Sequence, residues 1–461
     1  MGAMGLPQRD RALCTDLYEL TMAAAYFELG MKQRAAFELS VRSLPKNRSY
    51  LICAGLEQAV SYLQDLRFTG EQVDYLRALP VFKQVGDEFF EYLRDLTFTG
   101  TVRAIAEGTP VFAGEPLLQV EAPIIEAQIV ETFLLSMVNY QTLVGSKAAR
   151  VVEAARVDGK ARAVVDFGSR RAHGPDAAVL AARAAFIGGC VGTSNVEAGC
   201  KLGIPTSGTE AHSFIMAFER EEDAFSGYYR CFGGEAILLV DTYDVIEGVG
   251  KAIRAAPGMR GVRIDSGDII ALSKEARKLL NEAGLRDALI VASGDLDEYA
   301  IARLVEGGAQ VDGFGVGTKL VTGDDAPYIG GIYKLVAVEK DGHWEPRLKL
   351  SAEKPSYPGM KAVFRFSDPE TGEYTHDLIA GAEESRPEGA QSLIETVMED
   401  GALAAQLPSL EDIQRRAALL LKRLPHAHRR LGDPEPYPVE VSRALRESFE
   451  LLAAKREGAA S

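Results

Sequence analysis

The chain has 461 residues, 47% of them apolar and 25% charged, and its 51 Lys and Arg face 66 Asp and Glu for a net charge of −15. That balance argues against a nucleic-acid binder, whose footprint is a basic patch, but leaves room for a locally basic pocket. No apolar run approaches the ~18 residues of a membrane-spanning helix, and the start MGAMGLPQRD lacks the apolar stretch of a secretory signal. Five cysteines (Cys14, Cys53, Cys190, Cys200 and Cys231) form no CxxC pair. They read as reduced thiols of a cytoplasmic protein rather than a zinc site. The length suggests two or three domains of roughly 150 residues.

Leu17–Leu29 carries apolar residues at helical spacing and runs into Gly30, a helix-ending residue. Leu56–Leu66 predicts a second helix, and Thr69 with Gln72 predicts a capping box for a third. The period then changes to two, and Phe98–Ala106 and Pro110–Ala122 predict strands turning at Gly114. From Glu126 to about Ala155 the pattern is helical again, with a break expected near Gly145.

In the middle, short apolar runs alternate with helical stretches: Ala163–Phe167, Ala236–Val240, Gly261–Ile264, Ala288–Ala292 and Val311–Phe314. Each ends in a small or polar cluster (GSRRAHGP, DTYD, DSGD, SGDLD, GVGTK), and GTSN and GTEAHS add two more junctions. Alternating strands and helices imply a parallel sheet. Seven such junctions exceed what one crevice of an open sheet would use, so a barrel read at its C-terminal face is favoured. Beyond Thr318, Tyr333–Val338 and Arg347–Leu350 are expected to pair across Lys340-Asp341-Gly342, and Ala362–Phe366 adds a strand. Helices are expected near Gly389–Glu399, Leu410–Leu424 and Ser442–Leu452.

Four segments carry chemistry. In Val164–Pro175, Phe167 and Arg170 stand just after a strand, and an aromatic plate beside a guanidinium suits a planar anion. A surface ion pair beside a core Phe is the bland alternative. In Gly208–Ser213, His212 follows a glycine turn, although a lone histidine is more often structural. In Val262–Asp268, Arg263 and Asp265 share one face of a strand. That face is costly unless the two are paired or liganded. In Asp312–Lys319, Gly313, Gly315 and Gly317 expose backbone N–H groups and Thr318 adds a hydroxyl, a nest for phosphate. No GxxxxGK[ST] sequence occurs. Together with Asp241, Asp265 and Asp295, this is equipment for a phosphorylated sugar plus a flat aromatic acid.

These motifs occur in a known order. Thr15–Tyr26 (TDLYELTMAAAY), Asp166–Ala178 (DFGSRRAHGPDAA), Gly192–Asn195, Gly208–Phe214, Leu239–Asp244, Arg263–Asp268, Gly313–Thr318, Lys354–Lys361 (KPSYPGMK) and Tyr437–Val439 all resemble those of nicotinate phosphoribosyltransferases, from about residue 13 to 450. The resemblance implies the type II phosphoribosyltransferase fold: an irregular, TIM-like α/β barrel with a second α/β domain built from the N- and C-terminal segments. In this chain that means an N-terminal domain over 1–135, completed by about 325–400, a barrel with the active site over 136–324, and a C-terminal helical segment over 401–461.

The resemblance also implies a reaction. Nicotinate joins phosphoribosyl pyrophosphate to give nicotinate mononucleotide and pyrophosphate, coupled to ATP hydrolysis through a phosphohistidine, for NAD salvage. It implies Mg²⁺, ATP as co-substrate, and a cytoplasmic homodimer with shared sites. Carried over by motif, Tyr18 and Phe167 sandwich the pyridine ring, while Thr209 and Arg263 help hold nicotinate. Arg170, Gly315, Gly317, Thr318 and Asp295 bind the phosphates and ribose. His212 is the phosphorylated residue and Asp265 the catalytic carboxylate; the metal ligands stay unassigned. One residue departs from the pattern: Glu210 stands where an apolar residue is more usual, and is expected either to disturb the local potential or to point to solvent. The nearest alternative is a nicotinamide phosphoribosyltransferase, whose pocket carries an acid at about Ser194. A non-catalytic dimeric paralogue and a Schiff-base lyase using Lys319 are the others.

Overall fold

A computed structural model describes residues 10–349 and 357–459, with side chains through 455. Leu350, and Lys354–Ser356 of the KPSYPGMK motif, lie outside the described residues. The described chain divides into two compact units, one of residues 144–327 and one of 10–143 with 328–459.

The unit of 144–327 is built on a six-stranded sheet in the order Gly192–Thr193, Ala163–Asp166, Gly313–Val316, Leu289–Ala292, Gly261–Ile264, Ile237–Leu239. All its pairings are parallel. Helices Pro175–Ile187, Val245–Ala255, Ile269–Glu282 and Glu298–Glu306 alternate with the strands. Asp244, Asp268 and Asp297 cap three of them, each accepting a bond from the N–H three residues on. The acidic clusters after the strands therefore mix two kinds of aspartate: the later one caps a helix, and the earlier one is left for chemistry.

The irregular, TIM-like barrel expected from sequence does not close here. The edge strands Gly192–Thr193 and Ile237–Leu239 are not paired with each other, so the sheet is open. The reason lies in segment 203–210, GIPTSGTE. Thr206 makes only an isolated parallel bridge to Thr193, and the next outward residue on the proline side, Pro205, has no N–H to extend that ladder. A second correction concerns Gly145. The helix Glu131–Ala154 runs through it unbroken. The bare Gly145 backbone lets Gly188 approach so closely that a Cβ on Gly188 would lie 2.4 Å from the Gly145 carbonyl oxygen. The break falls instead between Ile124–Gln128 and Glu131.

The other unit holds a seven-stranded sheet in the order His343–Pro346, Gly331–Lys340, Arg34–Val41, Pro116–Pro123, Thr101–Ile105, Ile394–Glu399, Ala402–Leu403. Its pairings are antiparallel. Its hydrophobic core joins Leu39, Val120, Phe89, Phe133 and Leu134. Helix Leu17–Glu28 ends before Gly30 at φ 67°, and Thr69 with Gln72 forms the reciprocal capping box. Pro110–Ala122 is not one strand: Pro110–Val111 and Pro116–Pro123 are separated by a turn with Gly114 at φ 88°. The partner of Gly331–Lys340 is His343–Pro346, because Asp341 and Gly342, both at positive φ, make the tighter hairpin. The helix expected near Gly389–Glu399 is instead the strand Ile394–Glu399, where pairing with Thr101–Ile105 overrides local propensity. Residues 401–461, read as a separate helical segment, contribute strand Val439–Val441 to a four-stranded sheet beside Tyr374–Gly381.

That smaller sheet buries a charge. Arg365 Nη2 lies 2.5 Å from Asp377 Oδ2, its guanidinium sits 4.7 Å from the Tyr374 ring, and Tyr437 donates to Asp377 at 3.1 Å. Arg365→Leu strands Asp377 without its counter-charge. Chemical denaturation is expected to show a loss of about 3–5 kcal/mol; a loss within experimental error would mean that the pair contributes nothing net.

Candidate active site

The chemistry gathers where the strands of the 144–327 unit end. Arg263 is third in Gly261–Ile264, whose neighbours Val262 and Ile264 are fully buried. Strand alternation turns Arg263 and Asp265 to the other face, where both are partly covered. Three acceptors hold the guanidinium: Ser293 Oγ at 2.7 Å, Thr209 Oγ1 at 2.9 Å and Asp265 Oδ1 at 2.6 Å. Its carbon lies 5.5 Å from the centre of the Phe167 ring. Burial pushes the Asp265 carboxyl up, but the Ser293 hydroxyl and the Arg263 charge outweigh it and leave it below the usual range. Asp265 is therefore ionised at neutral pH.

Phe167 follows strand Ala163–Asp166 and rests over Gly315 in the neighbouring strand. A Cβ on Gly315 would lie 2.4 Å from two ring carbons. Asp166 is buried behind it and accepts bonds from Thr193 Oγ1 at 2.7 Å and from the Gly168 N–H at 2.8 Å. Burial raises its pKa, and those two bonds work against the rise.

His212, Asp241 and Asp265 offer ligand atoms within 4.8 Å of one another. Asp241 Oδ2 accepts from the Asp265 N–H at 3.1 Å and the Ser266 hydroxyl at 2.7 Å, while its buried Oδ1 has no hydrogen-bond partner. Such an orphaned carboxylate oxygen fits a cation. His212 Nδ1 meets Thr242 Oγ1 at 3.1 Å, which leaves Nε2 uncommitted.

The structure thus brings together Phe167, Thr209, His212, Arg263 and Asp265. Arg170 lies exposed on the short turn Ser169–Arg171, with no ion pair among the described residues. Asp295 is exposed at φ 45°, beside Gly294, whose missing Cβ lets the loop approach the Asp265 carbonyl. Gly315 is buried within a strand, and Gly317 and Thr318 stand at its end, where a four-residue helical turn begins. Tyr18 belongs to the other unit, where it is 46% exposed and donates to Glu131. Sequence reasoning missed Ser293, Thr242 and Thr193, although all lie in the strand-end clusters that it had marked.

Lys319 does not suit a Schiff base. It is ion-paired to Asp297 at 2.9 Å, which raises its pKa, whereas an amine nucleophile needs it lowered. Glu210 does not point to solvent: it is 7% exposed, and its Oε1 accepts from the Leu239 N–H at 2.6 Å.

The comparisons with known proteins agree along most of the chain. Residues 13–139 and 389–448 match the N- and C-terminal domains of nicotinate phosphoribosyltransferase (NAPRTase), and residues 162–378 match the family itself. A nicotinate phosphoribosyltransferase of Mycobacterium tuberculosis is 44% identical over 95% of this chain and 93% of its own. This chain belongs to the nicotinate phosphoribosyltransferase family. Another nicotinate phosphoribosyltransferase, from Bacillus subtilis, is 42% identical over 95% of this chain and 94% of its own. The crystal structure of human nicotinic acid phosphoribosyltransferase superposes with a TM-score of 0.84 at 32% identity, covering 95% of this chain and 99% of that one.

In this family member a cavity of ≈ 390 Å³ lies in the unit of 10–143 and 328–459. Arg42, Lys334, Lys361, Glu38 and Tyr357 are among its lining residues. Glu38 pairs with Lys361. Burial pushes Lys334 down, and the charges of Arg42, Lys349 and Lys361 push it further. Crowded cations of this kind suit an anionic ligand. No helix among the described residues is long and apolar enough to cross a membrane.

The contact between Phe167 and Gly315 is testable. Gly315→Ala has to displace the ring, so kcat/KM is expected to fall at least ~10-fold with the protein still folded. An unchanged kcat/KM would show that the ring position is immaterial.

Proposed function

We propose that this chain joins nicotinate to phosphoribosyl pyrophosphate, giving nicotinate mononucleotide and pyrophosphate. The observation that carries the reading is Arg263, a guanidinium set over the Phe167 ring and beside Thr209. An aromatic ring beside a guanidinium suits a flat ring bearing a carboxylate. The pyridine nitrogen attacks the anomeric carbon of ribose as the bond from that carbon to the pyrophosphate oxygen breaks, and the electron pair leaves with pyrophosphate. Phe167 and Arg263 orient the ring for that in-line approach. Asp265, held ionised, offsets the positive charge that develops on the ribose.

Asp241 and Asp265 would hold Mg²⁺, a hard ion that prefers carboxylate oxygens to imidazole. When bound, it would neutralise charge on the departing pyrophosphate. His212 then keeps a separate task. We read it as the acceptor of a phosphoryl group from ATP, at the Nε2 that Thr242 leaves open. A phosphoryl group there changes the charge beside the pyrophosphate site and couples ATP to substrate affinity. Arg170, Gly317, Thr318 and Asp295 stand at the same strand ends for the phosphates and ribose. The exposed Tyr18 is proposed to cover the pyridine ring of a partner subunit in a homodimer. A nicotinamide enzyme is the second reading. A neutral amide needs an acceptor for its N–H, and Ser194 supplies no carboxylate.

Nicotinate, nicotinamide and quinolinate, each offered with phosphoribosyl pyrophosphate and Mg²⁺, with and without ATP, test the reaction. Mononucleotide is expected from nicotinate, and more of it with ATP. His212→Ala is expected to erase the ATP effect while leaving some basal turnover; full stimulation in that variant would remove His212 from the scheme. Product from nicotinamide in preference to nicotinate would favour the second reading.

Arg263→Ala should raise the KM for nicotinate by ~30-fold or more, the weight of a charged hydrogen-bonded contact. An unaltered KM would make Arg263 a structural bridge. Mixing Arg263→Ala with Tyr18→Ala chains should recover part of the activity that each lacks alone, and no recovery would speak against sites shared between subunits.

A further inference from the structure

The segment between Thr206 and His212 touches both edges of the open sheet. On one side the Thr193 N–H donates to the Pro205 carbonyl at 3.0 Å, and the Ser207 N–H to the Thr193 carbonyl at 2.9 Å. On the other side lies Ile237–Leu239, paired only with Gly261–Ile264. The Val240 N–H faces that partner strand and donates to the Arg263 carbonyl. By strand alternation the Leu239 N–H faces away, toward the unpaired edge. Its acceptor is the side chain of Glu210, at 2.6 Å.

We infer that Glu210 is a positioning residue: its carboxylate stands in for the carbonyl of an absent strand and ties the loop bearing Thr209 and His212 to the loop bearing Asp241 and Thr242. Thr209 precedes Glu210 and accepts from Arg263 at 2.9 Å. His212 lies two residues after it and meets Thr242, three residues beyond Leu239, at 3.1 Å. Asp241 lies two residues beyond Leu239 in the cluster with His212 and Asp265. This buried bond, beside the His212–Thr242 contact, thus sets the spacing between the residues on Arg263 and those grouped around Asp241. Losing it orphans a buried N–H, and that cost is met by letting the two loops part.

The inference rests on the proposed roles of Arg263 and Thr209 with nicotinate. Steady-state kinetics of full-length Glu210→Leu and Glu210→Gln, with nicotinate and Mg²⁺ varied separately, test it. Leucine keeps the volume and removes the acceptor. The KM for nicotinate and the Mg²⁺ concentration for half-maximal rate are both expected to rise, each by about tenfold. Glutamine places a carbonyl oxygen where Oε1 stands, so Glu210→Gln is expected to return both values to within about twofold of the parent.

Unchanged values in Glu210→Leu, with the KM still raised in Arg263→Ala, would overturn the tie and leave the site assignment standing. An unchanged KM in Arg263→Ala as well would overturn both. Glutamine as impaired as leucine would overturn the tie in favour of a role for the charge. If Glu210→Leu does not fold, Glu210→Asp, one methylene short of Leu239, is read the same way: raised values support the tie and unchanged values overturn it.

Discussion

A guanidinium set among the residues of a parallel strand is the constraint around which this site is built. Arg263 cannot be left half-covered without partners, because desolvating a cation costs several kcal/mol. Its three acceptors come from three places in the chain, Thr209, Asp265 and Ser293. The Phe167 ring below it comes from a fourth. Satisfying one charge therefore draws together the ends of separate strands. The same partners that stabilise the cation also hold Asp265 ionised, so the fold and the electrostatics of the site have one cause.

Glycine gives this arrangement its closeness. Gly315 leaves room for the Phe167 ring, and Gly294 lets the Ser293 loop approach the Asp265 backbone. These glycines lie in strand-end motifs, and that of Gly315 reads, from sequence, as a phosphate nest. In the folded chain their work is to admit neighbours that any side chain would exclude. Aspartates divide in a similar way. Asp244, Asp268 and Asp297 cap helices, while Asp241 and Asp265 face the site a few residues earlier.

The open edge of the sheet adds a second constraint. A parallel strand with one bare edge must place its outward N–H groups somewhere, and Leu239 places its own on Glu210. Seen in sequence, Glu210 looks like a substitution in a motif that favours an apolar residue. Seen in three dimensions, it occupies a position where a neighbouring strand would otherwise supply a carbonyl.

The linear chain determined a good deal. Period-three-and-four runs, the Thr69–Gln72 capping box and the short apolar runs with polar ends were legible, because helix and strand periodicity and capping are local properties. The ordered motifs placed Phe167, Thr209, His212, Arg263 and Asp265 in one candidate site because they lie in or just after short apolar runs, and parallel strands carry their chemistry at one end. The tertiary structure decided the rest. It left the sheet open: beyond Thr193 only an isolated bridge to Thr206 forms, and Pro205 has no N–H to extend it. It made Ile394–Glu399 a strand through pairing with Thr101–Ile105. It gave Ser293 to Arg263 and Glu210 to Leu239, partners 30 and 29 positions apart. Such pairings depend on which polar groups, a buried guanidinium or an outward backbone N–H, are left unsatisfied once the sheet has formed, a quantity that no local pattern records.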